Sequence, residues 1–561
     1  MGIDHQRQKG RTSLTRGGKQ MEFTYAEKRE RKSAAQRSVV MGSRGMASSS
    51  QVLATQAGYK MLVKGGNAVD AAVAMVSTLN VVEPQSVGLG GDAFALIYLA
   101  KKNQLIGMNA SGRAPYRATL EWFREKGMNE IPERGILPVT IPGALHGWTE
   151  ALKRHGRLTL GDVFEDAIYY AEEGYPVTEV IAGEWRHMEP LLLANQNSAR
   201  SYLINGKAPR PGQRFVNRDL ARTYKKIVEQ GMESFYEGDL CDAIIGCSDR
   251  SNGLLSPRDF KDHTTTWVEP ISTDYRGYTV YELPPNGQGL TALEILNILE
   301  GYDLSALRHN SPEYLHLFVE AKKAAFSDRD TFITDPEFAK IPVDQLLSKD
   351  YSRMIRDRID RKQAQPVPSP FPYRKNSETV YVTAVDQDRN AVSLISSIFM
   401  HFGSGLVVDG TGIFLQNRGK AFSLNPKHFN KLEPHKRPLH TIIPAMVFKD
   451  GEFLMSFGVM GADMQPQGHV QFLVNLIDFR MNLQEAMDAP RARHVEGMEV
   501  YLEDGISDAT ASALEAKGHR LRRKSEPVNQ VGGGQAIYFD RDQDALLGAS
   551  DRRKDGCSIG Y

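Results

Sequence analysis

The chain has 561 residues, 41% of them hydrophobic and 24% charged, and its 69 Lys and Arg against 68 Asp and Glu leave a formal net charge of +1. This is ordinary globular material, enough for a thick core and more than one lobe, and the even balance excludes a broad electrostatic surface for nucleic acid. No stretch approaches the ~20 apolar residues a membrane helix needs, and the N-terminus lacks the apolar core of a secretory signal, so the expected location is cytoplasmic, with no membrane partner.

In chain order, residues 1–44 are rich in Lys, Arg, Gln and Ser and read as a basic, disordered tail. Met1-Gly2 does not complete a myristoylation signal, because Gln6 stands where Ser or Thr is wanted. Residues 51–63 and 68–80 read as helices, the second largely apolar and therefore buried. Strands are expected at 93–98 and 105–108, beyond a Gly88–Gly91 turn. The region from 143 to 350 is mostly helical in pattern, with helical periodicity at 160–173, 218–230 and 291–300. Strand patterns return at 278–283 and dominate after residue 379. The Pro-rich stretch at 367–372 and the polar residues after it make an exposed segment. Cys241, Cys247 and Cys557 form neither a metal spacing nor a disulfide framework and suit a reducing compartment.

Thr379 opens the strand-like run Thr379-Val380-Tyr381-Val382-Thr383-Ala384-Val385, directly after Arg374-Lys375-Asn376-Ser377-Glu378. Most strand-initial Thr side chains only pack or cap. If the Glu378–Thr379 bond were cut, however, the new fragment would begin with a hydroxyl nucleophile. Its own α-amine, with a pKa of roughly 7.7–8.0, would serve as the base. Residues 386–390 read as a turn and 391–399 as a returning strand, so the hairpin brings Ser396 or Ser397 toward Thr379.

Other motif readings fail. Asp386-x-Asp388-x-Asn390 begins like a calcium loop, but Ala391 takes the Gly position and Ser397 that of the bidentate acid. There is no Walker-type loop, and Gly532-Gly533-Gly534 precedes a strand at 535–539 without the strand-then-helix setting of a dinucleotide fingerprint. His428, His435 and His440 match no zinc spacing on one helix face. The expectation is catalysis with no metal and no cofactor.

Several separated segments lie in a distinctive order: Gly65-Gly66-Asn67-Ala68-Val69-Asp70-Ala71-Ala72, Glu83-Pro84 with Gly88-Leu89-Gly90-Gly91-Asp92-Ala93-Phe94, and Leu283-Pro284-Pro285-Asn286-Gly287-Gln288-Gly289. The Thr379 hairpin, Lys436-Arg437-Pro438, Asp488-Ala489-Pro490-Arg491 and the 548–556 tail follow. Through them the chain, from about Gly45 to Tyr561, resembles the gamma-glutamyltranspeptidase family of N-terminal nucleophile hydrolases.

The resemblance implies a four-layer αββα fold, α/β (α+β) in class, made as one proenzyme. Cleavage before Thr379 would leave a large-subunit portion, 45–378 behind the tail, and a small-subunit portion, 379–561, interleaved in one core. It implies attack by Thr379 on a substrate amide, with release of the acyl group to water or an amine, support from Ser397, and an oxyanion site at Gly461-Ala462 where the family has two glycines. Of the family's substrate contacts, the Arg position is Ser111, with Arg113 two residues on. The Asn position is Phe399, the Asp position Ala421, the Gln before it Arg418, and the paired Ser residues are His440-Thr441. The segment around 415–432 looks short for the lid of some transpeptidases, which favours hydrolysis. The expected activity is that of a gamma-glutamyltransferase or glutathione hydrolase on γ-glutamyl amides. The alternatives are an oxamate-like or cephalosporin-acylase-like hydrolase of another small acidic amide, or a catalytically silent, unprocessed relative. The two fragments are expected to stay associated, and a homo-oligomer of processed heterodimers is left open.

Overall fold

The computed structural model describes residues 37–366, 379–522 and 531–561. Glu378, the rest of the expected exposed segment, and the tail before residue 37 lie outside the described residues.

Two seven-stranded sheets organise the molecule. One runs Cys557–Gly560, Met46–Ser49, Val380–Val385, Ala391–Ser397, Asp92–Leu99, Gln104–Ala110 and Thr266–Val268. Its companion runs Val40–Gly42, Ala545–Ser550, Gly534–Asp540, Glu452–Val459, Ala445–Lys449, Tyr278–Glu282 and Ile271–Tyr275. Every pairing within them is antiparallel. Both sheets combine strands from before and after residue 379, so neither stretch could form either sheet alone.

The period-two side-chain alternation of the strands explains the layering. Val380, Val382 and Ala384 face a helical layer with the helices Val52–Val63 and Ala68–Val82, while Tyr381 and Val385 face the companion sheet. Ala93, Ala95 and Ile97 likewise face the helices, and Phe94, Leu96 and Tyr98 the companion sheet. On the far side of that sheet, Met455, Phe457, Ala536 and Tyr538 pack with the helices Gly289–Glu300, Pro312–Phe332 and Met464–Ile477. Three cores in series, helix on sheet, sheet on sheet and sheet on helix, make the expected αββα sandwich.

Local signals set the element ends. The Gln51 side chain accepts from the Leu53 and Ala54 N–H groups and starts the first helix. Asn67 and Asp70 form a capping box for the second, which is buried along its whole length. The helices Leu160–Glu173 and Arg218–Gln230 match the periodicity read from the sequence. Val40–Gly42, within the stretch expected to be a tail, pairs instead with 546–548, because its apolar run can extend a sheet edge. Among the described residues no helix is long and apolar enough to cross a membrane.

Candidate active site

Thr379 immediately precedes its strand and is fully buried. The hairpin register pairs Val380 with Ser396, which puts Thr379 across from Ser397. Their hydroxyls are 3.5 Å apart, at the outer limit of a hydrogen bond. Ser397, in turn, pairs with Asp92 on the next strand, and its Oγ accepts from the Phe399 N–H at 2.8 Å.

A second contact to the nucleophile comes from the companion sheet's side. Gln465, in the first turn of Met464–Ile477, approaches Thr379 Oγ1 with its Nε2 at 3.3 Å. Just before that helix, Gly461 and Ala462 adopt φ of 115° and 51°. Among the described residues neither N–H is engaged in a hydrogen bond, so both remain available to an oxyanion. Gln288 fixes this turn: its Nε2 donates to the Ala462 carbonyl at 2.9 Å and to the Thr441 carbonyl at 2.7 Å, while its Oε1 accepts from Arg329 at 2.9 Å. Arg329 also pairs with Asp463 at 2.7 Å. Ala462 is therefore held in a left-handed conformation that costs a side-chain-bearing residue roughly 1–2 kcal/mol.

The polar wall of the site is charged. Arg418, fully buried, stacks on the Phe399 ring at 4.2 Å and donates to Thr441 Oγ1 at 2.8 Å. Its Nε lies 3.9 Å from Asp92. Asp92 also accepts from the Gly112 N–H at 2.7 Å, from Gln416 at 2.9 Å and from His440 Nε2 at 2.9 Å. His440 Nδ1 also faces the Ile442 N–H at 3.3 Å, which suits an imidazole that donates to Asp92 through Nε2. Phe399 has φ of 76°, strained for a bulky residue, and this places its ring under Arg418. A closed circuit of contacts thus runs from Thr379 through Ser397, Phe399, Arg418, Thr441, Gln288, Ala462 and Gln465 and back to Thr379.

Other expected contacts fall outside that circuit. Arg113 donates to the Thr264 carbonyl and pairs with Glu337, so its guanidinium is committed beside Arg437. Ser111 is buried, bonds Asn109 at 2.7 Å, and is linked to His440 through Asn286. Ala421 shares the short 418–421 turn with Arg418 and brings no charge, its carbonyl accepting from Asn430. The described residues hold one group of metal-ligand composition, His316, Glu320 and His519, with ligand atoms within 4.8 Å of one another. There Lys323 already meets the Glu320 charge at 2.7 Å, and His316 and Lys323 donate to the carbonyls of Asp360 and Gln365. The cluster thereby anchors the chain that leads toward residue 367.

Sequence reading missed Gln465 altogether. Asp92 and Gln288 fall within the glycine-rich segments named above, and both are buried polar residues, the kind of position that points to a role.

The gamma-glutamyltranspeptidase family model matches residues 54–561. The chain belongs to this family. Among its relatives in the family, the glutathione hydrolase-like YwrD proenzyme of Bacillus subtilis (strain 168) is 40% identical over 93% of this chain and 99% of its own length. The acylase ACY 1 proenzyme of Pseudomonas sp. (strain SE83) is 36% identical over 92% and 94%. A crystal structure of cephalosporin acylase from Bacillus halodurans superposes with a TM-score of 0.89 at 42% identity, covering 94% of this chain and 97% of that one. The family is one of N-terminal nucleophile amide hydrolases, and the αββα sandwich described above is its fold.

Proposed function

We propose that the chain is a self-processing amide hydrolase in which Thr379, freed as an N-terminus, forms an acyl-enzyme with a carboxylate-bearing acyl group. The observation that carries this reading is the position of Thr379 Oγ1 between Ser397 and Gln465, with two unengaged N–H groups at Gly461 and Ala462 in the turn that leads into the Gln465 helix. These are the parts acyl transfer needs: nucleophile, a base supplied by the new α-amine, and donors for the tetrahedral oxyanion. The proenzyme and acylase names among the relatives support both processing and acyl transfer.

In the mature enzyme Thr379 Oγ attacks the amide carbonyl, and its proton passes through the α-amine to the leaving nitrogen. Water then takes the acyl group. Arg418 is the substrate's carboxylate partner in this reading. With Ala421 in place of the family's Asp, the wall offers no counter-charge for an α-ammonium at that position. That combination favours a dicarboxylic monoamide, such as a glutaryl or oxalyl amide, over a γ-glutamyl amide, which remains the second class. The test is hydrolysis of matched glutaryl, oxalyl, γ-glutamyl and acetyl amides by wild type and Thr379→Ala. Turnover by wild type alone, fastest for an acyl group that is acidic and lacks the amine, is expected. Equal turnover by Thr379→Ala would remove the proposal.

A further inference from the structure

We infer that Gln465 is a catalytic residue that acts on the leaving oxygen in deacylation; this rests on the proposed acyl-enzyme at Thr379. The orientation of its amide is not arbitrary. The Ile443 backbone N–H, which can only donate, meets Gln465 Oε1 at 2.9 Å. The amide's NH₂ must therefore face Thr379 Oγ1, 3.3 Å away. The side chain is fully buried in the first turn of a 14-residue helix, so the helix N-terminus adds positive potential on the same side.

A donor aimed at Oγ does little while Oγ is a neutral hydroxyl, and more when charge develops there. That happens when the acyl-enzyme breaks down. Water adds to the ester carbonyl and gives a proton to the Thr379 α-amine, and the oxyanion rests on the Gly461 and Ala462 N–H groups. On collapse the C=O re-forms, the C–Oγ bond breaks, and its electron pair passes to Oγ, which recovers the proton from the α-ammonium. Gln465 Nε2–H stabilises Oγ as that charge builds. The same bond breaks when the ester formed between Glu378 and Thr379 during self-cleavage is hydrolysed, so one donor would serve both reactions.

Gln465→Leu removes the donor, and Gln465→Glu keeps the shape and the acceptor for Ile443 while replacing the donor by a carboxylate. Removing a donor to a carbonyl oxyanion typically slows a reaction ~10²–10³-fold, and a longer contact to the leaving oxygen should give roughly 10- to 100-fold. With a glutaryl anilide, kcat and KM are expected to fall together in both variants, leaving kcat/KM within about threefold. Intact mass of the small fragment at steady state should show a glutaryl adduct absent from wild type. Unprocessed variant chains should be split by hydroxylamine at the stalled Glu378–Thr379 ester.

Unchanged kcat without an adduct, or a drop confined to kcat/KM, in folded Gln465→Glu would overturn the inference while leaving the proposed function intact. Absence of processing in wild type would instead strike the proposed function, and this inference with it.

Discussion

Replacing Arg418 by Met tests how the site chooses its acyl group. The guanidinium is fully buried, flat on Phe399, bonded to Thr441 Oγ1 and 3.9 Å from Asp92. Its loss leaves Asp92 with three remaining donors, from Gly112, Gln416 and His440, so the fold should lose only about 1–3 kcal/mol. A substrate carboxylate bound against Arg418 would lose its single cationic partner in the circuit. Removing one side of a buried charge pair costs on the order of 2–5 kcal/mol, which corresponds to a fall in kcat/KM of about 30- to 5,000-fold at 1.36 kcal/mol per decade. An acetyl amide, with no carboxylate, should fall less than about tenfold. The assay is the ratio of kcat/KM for glutaryl and acetyl anilides, with urea unfolding to confirm the modest stability loss. If both substrates decline equally, Arg418 serves only to hold Asp92 and Phe399, and the argument for an acidic acyl group fails.

Further outcomes follow from the same geometry. Ala462→Gly keeps the N–H and relieves a left-handed φ of 51°, so activity should stay within about threefold and unfolding free energy should hold or rise by up to about 1 kcal/mol. Gly461→Ala should instead lose about 1–3 kcal/mol, because its Cβ at φ 115° would meet the Gly532 Cα at 3.1 Å; denaturant curves distinguish the two. Burial, and to a lesser extent Glu184, pushes the Glu83 carboxyl up to about 7, although Lys554 pulls the other way. Since the folded state then binds more protons than the unfolded one between about pH 4.5 and 7, this group's contribution to stability is present below that window and declines as pH rises through it. Glu83→Gln should remove that slope, leaving wild type less stable relative to the variant by on the order of 3 kcal/mol at pH 8 compared with pH 4, as read from unfolding curves at each pH.

Much of the fold was legible because its signals are local. Apolar content and helical periodicity marked the helices Ala68–Val82 and Leu160–Glu173, and strand-like runs on either side of Asp386 marked the central hairpin. The helix Met464–Ile477 was not read, since Pro466, Gly468, Val470 and Val474 are weak helix formers. Its stability comes from the sheet it covers, which hides that helix from a local reading. Strand pairing alone was enough to bring Ser397 toward Thr379, whereas Phe399, Arg418, Thr441 and Ala462, which the structure links to that pair, came only through the family resemblance. Arg113 shows the opposite case: two positions from the family's Arg site along the chain, it turns away to Glu337. Gln465 is 86 residues from the Thr it touches, and only the stacking of two sheets brings them together.

Acyl transfer of this kind requires that Thr379 become an N-terminus. Intact mass and N-terminal sequencing of wild type beside Thr379→Ala address it directly. Two fragments are expected from wild type, the smaller beginning Thr-Val-Tyr-Val, and one uncut chain from the variant. An uncut chain in both, with no amide hydrolysis, would contradict it.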